Sequence, residues 1–238
     1  MKKKYKMAIE DKQKEILKLV KIFDEVCIKN DIKYTLIAGS VLGAIRHKGF
    51  IPWDDDIDIA MMRSDFEKMC KVAELEFKKP YFWQTEYTDP GSLRCHAQLR
   101  NSETTAILSN EVTGEMKFNQ GIFIDIFPFD AVPDDMVLWE KECKVAQKYY
   151  ERMCDFANIS VHYVKDRKQP KFILKTILHY LFCPIFAYLS HYYFVKYEHE
   201  CIKYDSVKTP KIAMLCWGYK YKQLFRPRKD YESTIMAD

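Results

Sequence analysis

The 238-residue chain is 48% hydrophobic, 15% aromatic and 30% charged, too apolar for a disordered polymer and long enough to bury one sizeable core with a small appendage. Its 7 Gly and 9 Pro exclude collagen-like and low-complexity classes. The net charge of +4 is unevenly placed: residues 1–159 carry 24 basic and 27 acidic side chains and residues 160–238 carry 14 and 7, so the second half is either a solvated basic face or a surface suited to a polyanion or an anionic membrane.

At the N-terminus, Met1-Lys2-Lys3-Lys4 has the charge of a secretory n-region. Glu10, Asp11, Lys12 and Lys14 then stand where an apolar h-region would be, so no export signal is read and a cytoplasmic location is expected. Ile9, Ile16, Val20, Phe23 and Cys27 recur at helical spacing and predict an amphipathic helix over 6–29, ended by Asn30-Asp31. Residues 32–37 are β-rich and stop at Ala38-Gly39-Ser40. A short helix over 41–46 follows, then a loop through Gly49 to Pro52-Trp53, where Trp53 reads as core packing rather than a stacking platform. The alternation in 56–61 predicts a strand, and Ser64-Asp65-Phe66-Glu67 reads as a capping box opening a helix to about Phe77.

Residues 93–108 predict a hairpin or strand pair, and 121–129 a strand closed by Pro128. A second long helix is expected over 134–156, with Leu138, Val145, Tyr149, Met153 and Phe156 on one face. Between Lys175 and Lys196 run twenty residues without a formal charge. His179, Ser190, His191, a central Pro184 and several tyrosines favour a helical pair broken at Pro184, buried or lying on a membrane surface, over a true span. What is legible of the remainder is helical. The eight cysteines never form a C-x-x-C pair, which removes support for zinc-ribbon or thioredoxin chemistry and makes them small buried hydrophobes in a reducing compartment. No repeat and no Gly- or Ser-rich linker interrupts the chain. The reading is therefore α+β: a catalytic core over 1–159 and a helical, basic, aromatic part over 160–238.

The chemistry concentrates between Gly39 and Met61. Side chains on a strand alternate faces, so Asp54, Asp56 and Asp58 can share one side while Ile57 and Ile59 enter the core. Three acids on one face repel one another. A hard divalent cation such as Mg²⁺ or Mn²⁺ rewards that arrangement; an exposed acidic turn is the plainer alternative. Asp125 stands among large apolar residues and must be paired, protonated, metal-bound or bonded to backbone N–H groups. Upstream, a strand ending at Gly39-Ser40 and leading into a helix is a candidate phosphate cradle.

A Gly-Ser turn, an Asp-x-Asp strand 16 and 18 residues after Ser40, and a third acid on a later strand together resemble the nucleotidyltransferase superfamily. Within it, LGAIRHKGFIPWDDDIDIAM followed by GIFIDIFPFD is similar to the LicD family of phosphotransferases, related to fukutin-type enzymes, over about residues 8–135. The resemblance implies a nucleotidyltransferase-like mixed sheet flanked by helices. It also implies transfer of a phospho-alcohol, phosphocholine or a phospho-alditol, from a CDP-alcohol to a hydroxyl of a cell-surface glycan or a teichoic-acid or lipopolysaccharide precursor. By position it makes Asp56, Asp58 and Asp125 the metal-binding catalytic carboxylates. It assigns Gly39, Ser40, Arg46, His47, Arg100 and Thr105 to substrate, and Mg²⁺ or Mn²⁺ as cofactor. Gln98 stands where the pattern would have a lysine, and the chain stops at Ile235-Met236-Ala237-Asp238 where family members continue into a further segment. No nucleic-acid partner is implied, while peripheral membrane association fits the basic, aromatic second half. Two rival readings stand beside it: an Asp-x-Asp glycosyltransferase using a nucleotide sugar, and a shortened, non-catalytic relative that binds at a membrane surface.

Overall fold

A computed structural model describes residues 7–108, 117–160, 170–216 and 226–235. Helix α1, Ile9–Lys29, forms because Ile16, Leu19, Phe23, Val26 and Cys27 make one buried stripe; Glu10 and Asp11 in its first turn and Lys29 in its last complement the helix dipole. The expected strand over 32–37 shrinks to β1, Thr35–Leu36. Helix α2, Ala38–His47, begins earlier than the pattern indicated, so Gly39 and Ser40 lie in its first turn rather than ahead of it. Ala38 enters with φ of 51°, a left-handed conformation that costs a non-glycine residue about 1–2 kcal/mol.

Strand β2 is Asp58–Met62, shifted forward from 56–61. Helix α3, Arg63–Glu76, starts from Met62 with no side-chain cap bond, so Ser64 and Glu67 do not form the expected capping box. Strand β3, Tyr81–Gln84, went unseen in the sequence, and the 93–108 stretch yields one strand, β4, Ala97–Asn101, instead of a pair. Strand β5, Ile122–Val132, runs straight through Pro128. Helix α4 covers Met136–Ser160. Helix α5, Pro170–Cys201, is continuous across Pro184, so the expected break into two helices does not occur. Strands β6, Lys211–Ala213, and β7, Arg226–Pro227, and helix α6, Arg228–Ile235, complete the described chain and add strand to a region read as helical.

The sheet order is β1-β2-β5-β4-β3, with β6 joined to β5 and β7 to β6. The pairs β1–β2, β4–β5, β5–β6 and β6–β7 are antiparallel. With helices beside this sheet, the α+β expectation holds. Pro128 is tolerated because it falls between ladders: β4 pairs with β5 up to Ile126, and β6 takes over at Asp130.

The chain divides into two compact units that interleave along the sequence. One contains Met1–Trp83, Ala97–Ala106 and Gln120–Phe127; the other contains Gln84–His96, Ile107–Asn119 and Pro128–Asp238. The first is built on one core in which Phe23, Ile59, Met61, Met69, Trp83, Leu99 and Ile124 meet. The second centres on α4 against α5, with Val132, Trp139, Cys143, Ala146, Tyr197 and Cys201 buried. The eight cysteines, all among the described residues, are thiols in no disulfide; Cys27, Cys143, Cys201 and Cys216 are buried as expected, whereas Cys70 is exposed. Among the described residues no helix is long and apolar enough to cross a membrane.

Candidate active site

Backbone pairing, not sequence proximity, assembles the acidic residues. The Ile37 N–H donates to the Asp58 carbonyl at 3.0 Å, and the Asp125 N–H donates to the Ile57 carbonyl at 3.0 Å. Residues 57 and 58 are thus held on one side by the entry to α2 and on the other by β5. The Ser40 Oγ accepts the Asp58 N–H at 2.8 Å, which ties the first turn of α2 to the start of β2.

The loop that carries the acids into β2 is shaped by a close approach. A Cβ on Gly43 would lie 2.6 Å from the Gly49 carbonyl oxygen and 3.2 Å from the Ile51 nitrogen, so only glycine fits there. From α1, Gln13 Nε2 donates to the Asp54 carbonyl at 2.8 Å, and Lys12 Nζ pairs with Asp55 at 2.6 Å. Gly39 gives room to Asp54: a Cβ there would sit 3.0 Å from Asp54 Oδ2. The first turn of α2 therefore faces a carboxylate through Gly39 and receives a backbone N–H through Ser40.

The electrostatics of the cluster follow from crowding. Partial desolvation, then the charge of Asp54 and a hydrogen bond with it, push the Asp56 carboxyl up to about 6, with Asp55 and Asp125 adding to the effect. Burial, then the charges of Asp56, Asp125 and Asp54, push the Asp58 carboxyl up to about 7. Asp56, Asp58 and Asp125 therefore lie close enough to resist one another's ionisation. Among the described residues, no three His, Cys, Asp or Glu side chains are drawn into a ready-made ligand cage. The donor set itself, hard oxygens from β2, β5 and the turn before β2 that disfavour their own charge, suits a divalent cation with oxygen preference.

Asp125 has a defined orientation. It stands opposite Gln98 in the β4–β5 register, and Gln98 Nε2 donates to Asp125 Oδ1 at 2.6 Å. Gln98 Oε1 accepts in turn from Arg100 Nη2. Arg100 Nη1 donates to the Gly121 carbonyl at 2.6 Å, and its guanidinium lies over the Phe123 ring, 4.6 Å from the centroid. Arg100 is fully buried, so the residue read as a substrate contact is built into the protein behind Gln98 and Asp125.

Thr105 is exposed; its neighbour Thr104 is the one that binds structure, its Oγ1 accepting the Ile122 N–H at 2.8 Å. Arg46 and His47 are exposed in the last turn of α2. Trp53 is 78% exposed, which corrects its reading as core packing. Sequence reasoning treated Gln98 only as a departure from a pattern. The signal for its role was the alternation in Ala97-Gln98-Leu99-Arg100, whose odd positions are core and whose even ones are polar yet just as buried.

A turn-tethered Asp-x-Asp thus leads into one strand and a third aspartate stands on its neighbour. Residues 31–173 match the family model described as LicD/FKTN/FKRP, nucleotidyltransferase domain, and the chain belongs to that family of phosphotransferases. It is 28% identical over 242 residues to the lipopolysaccharide cholinephosphotransferase LicD of Haemophilus influenzae, covering 98% of this chain and 83% of that protein. Uncharacterized proteins of Rickettsia typhi and Rickettsia prowazekii are 30% and 38% identical over 164 and 86 residues, and those matches take in 45% and 30% of their lengths.

Proposed function

We propose that this protein transfers a phospho-alcohol, phosphocholine or a phospho-alditol, from a CDP-alcohol to a hydroxyl of a lipopolysaccharide, teichoic-acid or other cell-surface glycan precursor, releasing CMP. The observation that carries the reading is the group Asp56, Asp58 and Asp125, brought together by backbone bonds and mutually unfavourable as three anions. The Haemophilus relative is a lipopolysaccharide cholinephosphotransferase, which supports phosphocholine as the transferred group and a glycan as the acceptor. Eight cysteines kept as thiols accord with a reaction on the cytoplasmic side, where thiols stay reduced.

In the reaction the acceptor oxygen forms a bond to the phosphorus bearing the alcohol while the bond from that phosphorus to CMP breaks, and the hydroxyl proton departs. A magnesium or manganese ion held by Asp56, Asp58 and Asp125 would supply Lewis acidity toward the diphosphate. Asp125 is positioned to take the hydroxyl proton, since Gln98 fixes one of its oxygens and thereby orients the other. Gly39, Ser40 and Arg46 bind donor phosphate oxygens, with His47 and Thr105 as further surface contacts. Arg100 acts as a positioning residue through Gln98.

The test is nucleotide release from CDP-choline, CDP-ribitol, CDP-glycerol and UDP-sugars, with and without magnesium. Magnesium-dependent CMP release is expected, and Asp58→Asn should lower it by at least about 100-fold while the protein stays folded. Release of UDP alone would convert the assignment to a glycosyltransferase. No release from any donor would leave a binding protein.

A further inference from the structure

Helix α5 is largely apolar between its flanking lysines, yet among the described residues only one side is covered. Ser190, Phe194, Tyr197 and Cys201 are buried, and the helix packs there against α4. On the opposite side Leu174, Leu181, Ile185, Tyr188, Tyr192 and Val195 are exposed, Leu181 by 67% and Tyr188 by 69%. At 100° per residue these six fall within an arc of about 80°, and at 1.5 Å per residue they run about 32 Å along the helix. A scatter of single exposed leucines needs no explanation, but a continuous stripe of this length does.

Charge decides what covers it. Helix α5 has lysines at 171, 175 and 196, and its acids, Glu198 and Glu200, stand beyond the stripe, where Glu198 accepts from the Tyr87 hydroxyl and Glu200 pairs with Lys203. The stripe itself is therefore flanked by positive charge, which anionic lipid headgroups complement. Lys196 Nζ lies 5.6 Å from the centre of the Tyr192 ring, at the end of the stripe. An aromatic belt edged by long basic side chains is what the headgroup–acyl boundary favours. With no described helix able to cross a bilayer, the contact is one of lying on the surface.

We infer that the exposed face of α5 docks the protein onto an anionic lipid bilayer. The inference is independent of the catalytic reading, because α5 contributes none of the proposed catalytic carboxylates. It is tested with the full chain by co-sedimentation with vesicles of phosphatidylcholine alone, or of phosphatidylcholine and phosphatidylglycerol in equal parts, alongside light scattering of the lipid-free protein. The wild type should sediment preferentially with the mixed vesicles and be released by added salt. The double variant Leu181→Glu, Ile185→Glu should bind at least about tenfold more weakly, with unchanged circular dichroism and thermal midpoint. Wild type left in the supernatant, equal binding to both vesicle types, or a double variant that binds as well as wild type overturns the proposal. A dimer in solution that the same two substitutions dissociate overturns it in favour of a second copy. Should the double variant not fold, loss of wild-type binding in Lys196→Glu decides the same question.

Discussion

Asp58 and Asp56 contribute to the protein's response to pH. Both carboxyls are raised well above the range of an unfolded chain, to about 7 and about 6. Between pH 4 and 7 the folded protein therefore binds more protons than the unfolded one, so these two groups reduce stability as pH rises through that window, and the loss is complete above their folded values. Chelator-treated wild type should accordingly melt lower at pH 8 than at pH 5. Asp58→Asn should flatten that slope and melt higher than wild type at pH 8, each kcal/mol recovered appearing as about 2–4 °C. Magnesium added at pH 8 should raise the wild-type midpoint and leave the variant nearly unmoved. Identical pH slopes in the two proteins would refute the electrostatic account.

Gln98 makes the second residue-scale prediction. It donates to Asp125 and accepts from Arg100, and both Gln98 and Arg100 are buried. Gln98→Leu keeps the volume and removes both bonds, so it should cost about 1–3 kcal/mol in a denaturant titration. It should also lower kcat while leaving donor KM nearly unchanged, because it frees Asp125 to rotate without touching phosphate contacts. A rise in KM at constant kcat would instead make Gln98 a donor-binding residue. The Asp-x-Asp pair and Asp125 could be read from the chain because like charges in series are locally conspicuous. The Gln98–Arg100 support could not, since its meaning depends on which residue of β5 lies opposite, a matter of register between distant segments.

Among the elements, α2 and the loop after it do the positioning. The Gly43 position is walled by main-chain atoms of Gly49 and Ile51, which cannot yield as a flexible side chain would. Gly43→Ala should destabilise by about 1–3 kcal/mol and displace the loop that leads to Asp54, so CMP release should fall along with the thermal midpoint. An alanine variant with wild-type stability would show that the loop has room to move. Prolines account for two of the misread elements. Locally, Pro128 and Pro184 signal a stop, but each occupies a place where its missing N–H costs little. Pro128 lies between the β4 and β6 ladders, and Pro184 is exposed, on the side of α5 turned away from the buried Ser190, Phe194 and Tyr197. Helices α1 and α4 were legible because their stripes of apolar residues repeat over many turns, whereas two-residue β1 and four-residue β3 are too short to show a period.

At the scale of the whole molecule, the two compact units share the chain by turns rather than dividing it at one point. Membership alternates at 83, 96, 106, 119 and 127, because segments join units through sheet pairing and core contacts that carry no local mark. The α+β class survived this because it needs only the inventory of elements, while unit membership needs their partners.

The alternation also constrains synthesis. As the chain leaves the ribosome, the unit holding the aspartates cannot close until Phe127 has emerged with the last of its strand residues. By then two stretches owed to the other unit are already outside; Gln84, Asp89 and Asn119 tie them to each other, but the helices α4 and α5 that complete their unit are still to come. A nascent polypeptide halted shortly after residue 127 would therefore hold Asp56, Asp58 and Asp125 and still lack the helical half of the other unit.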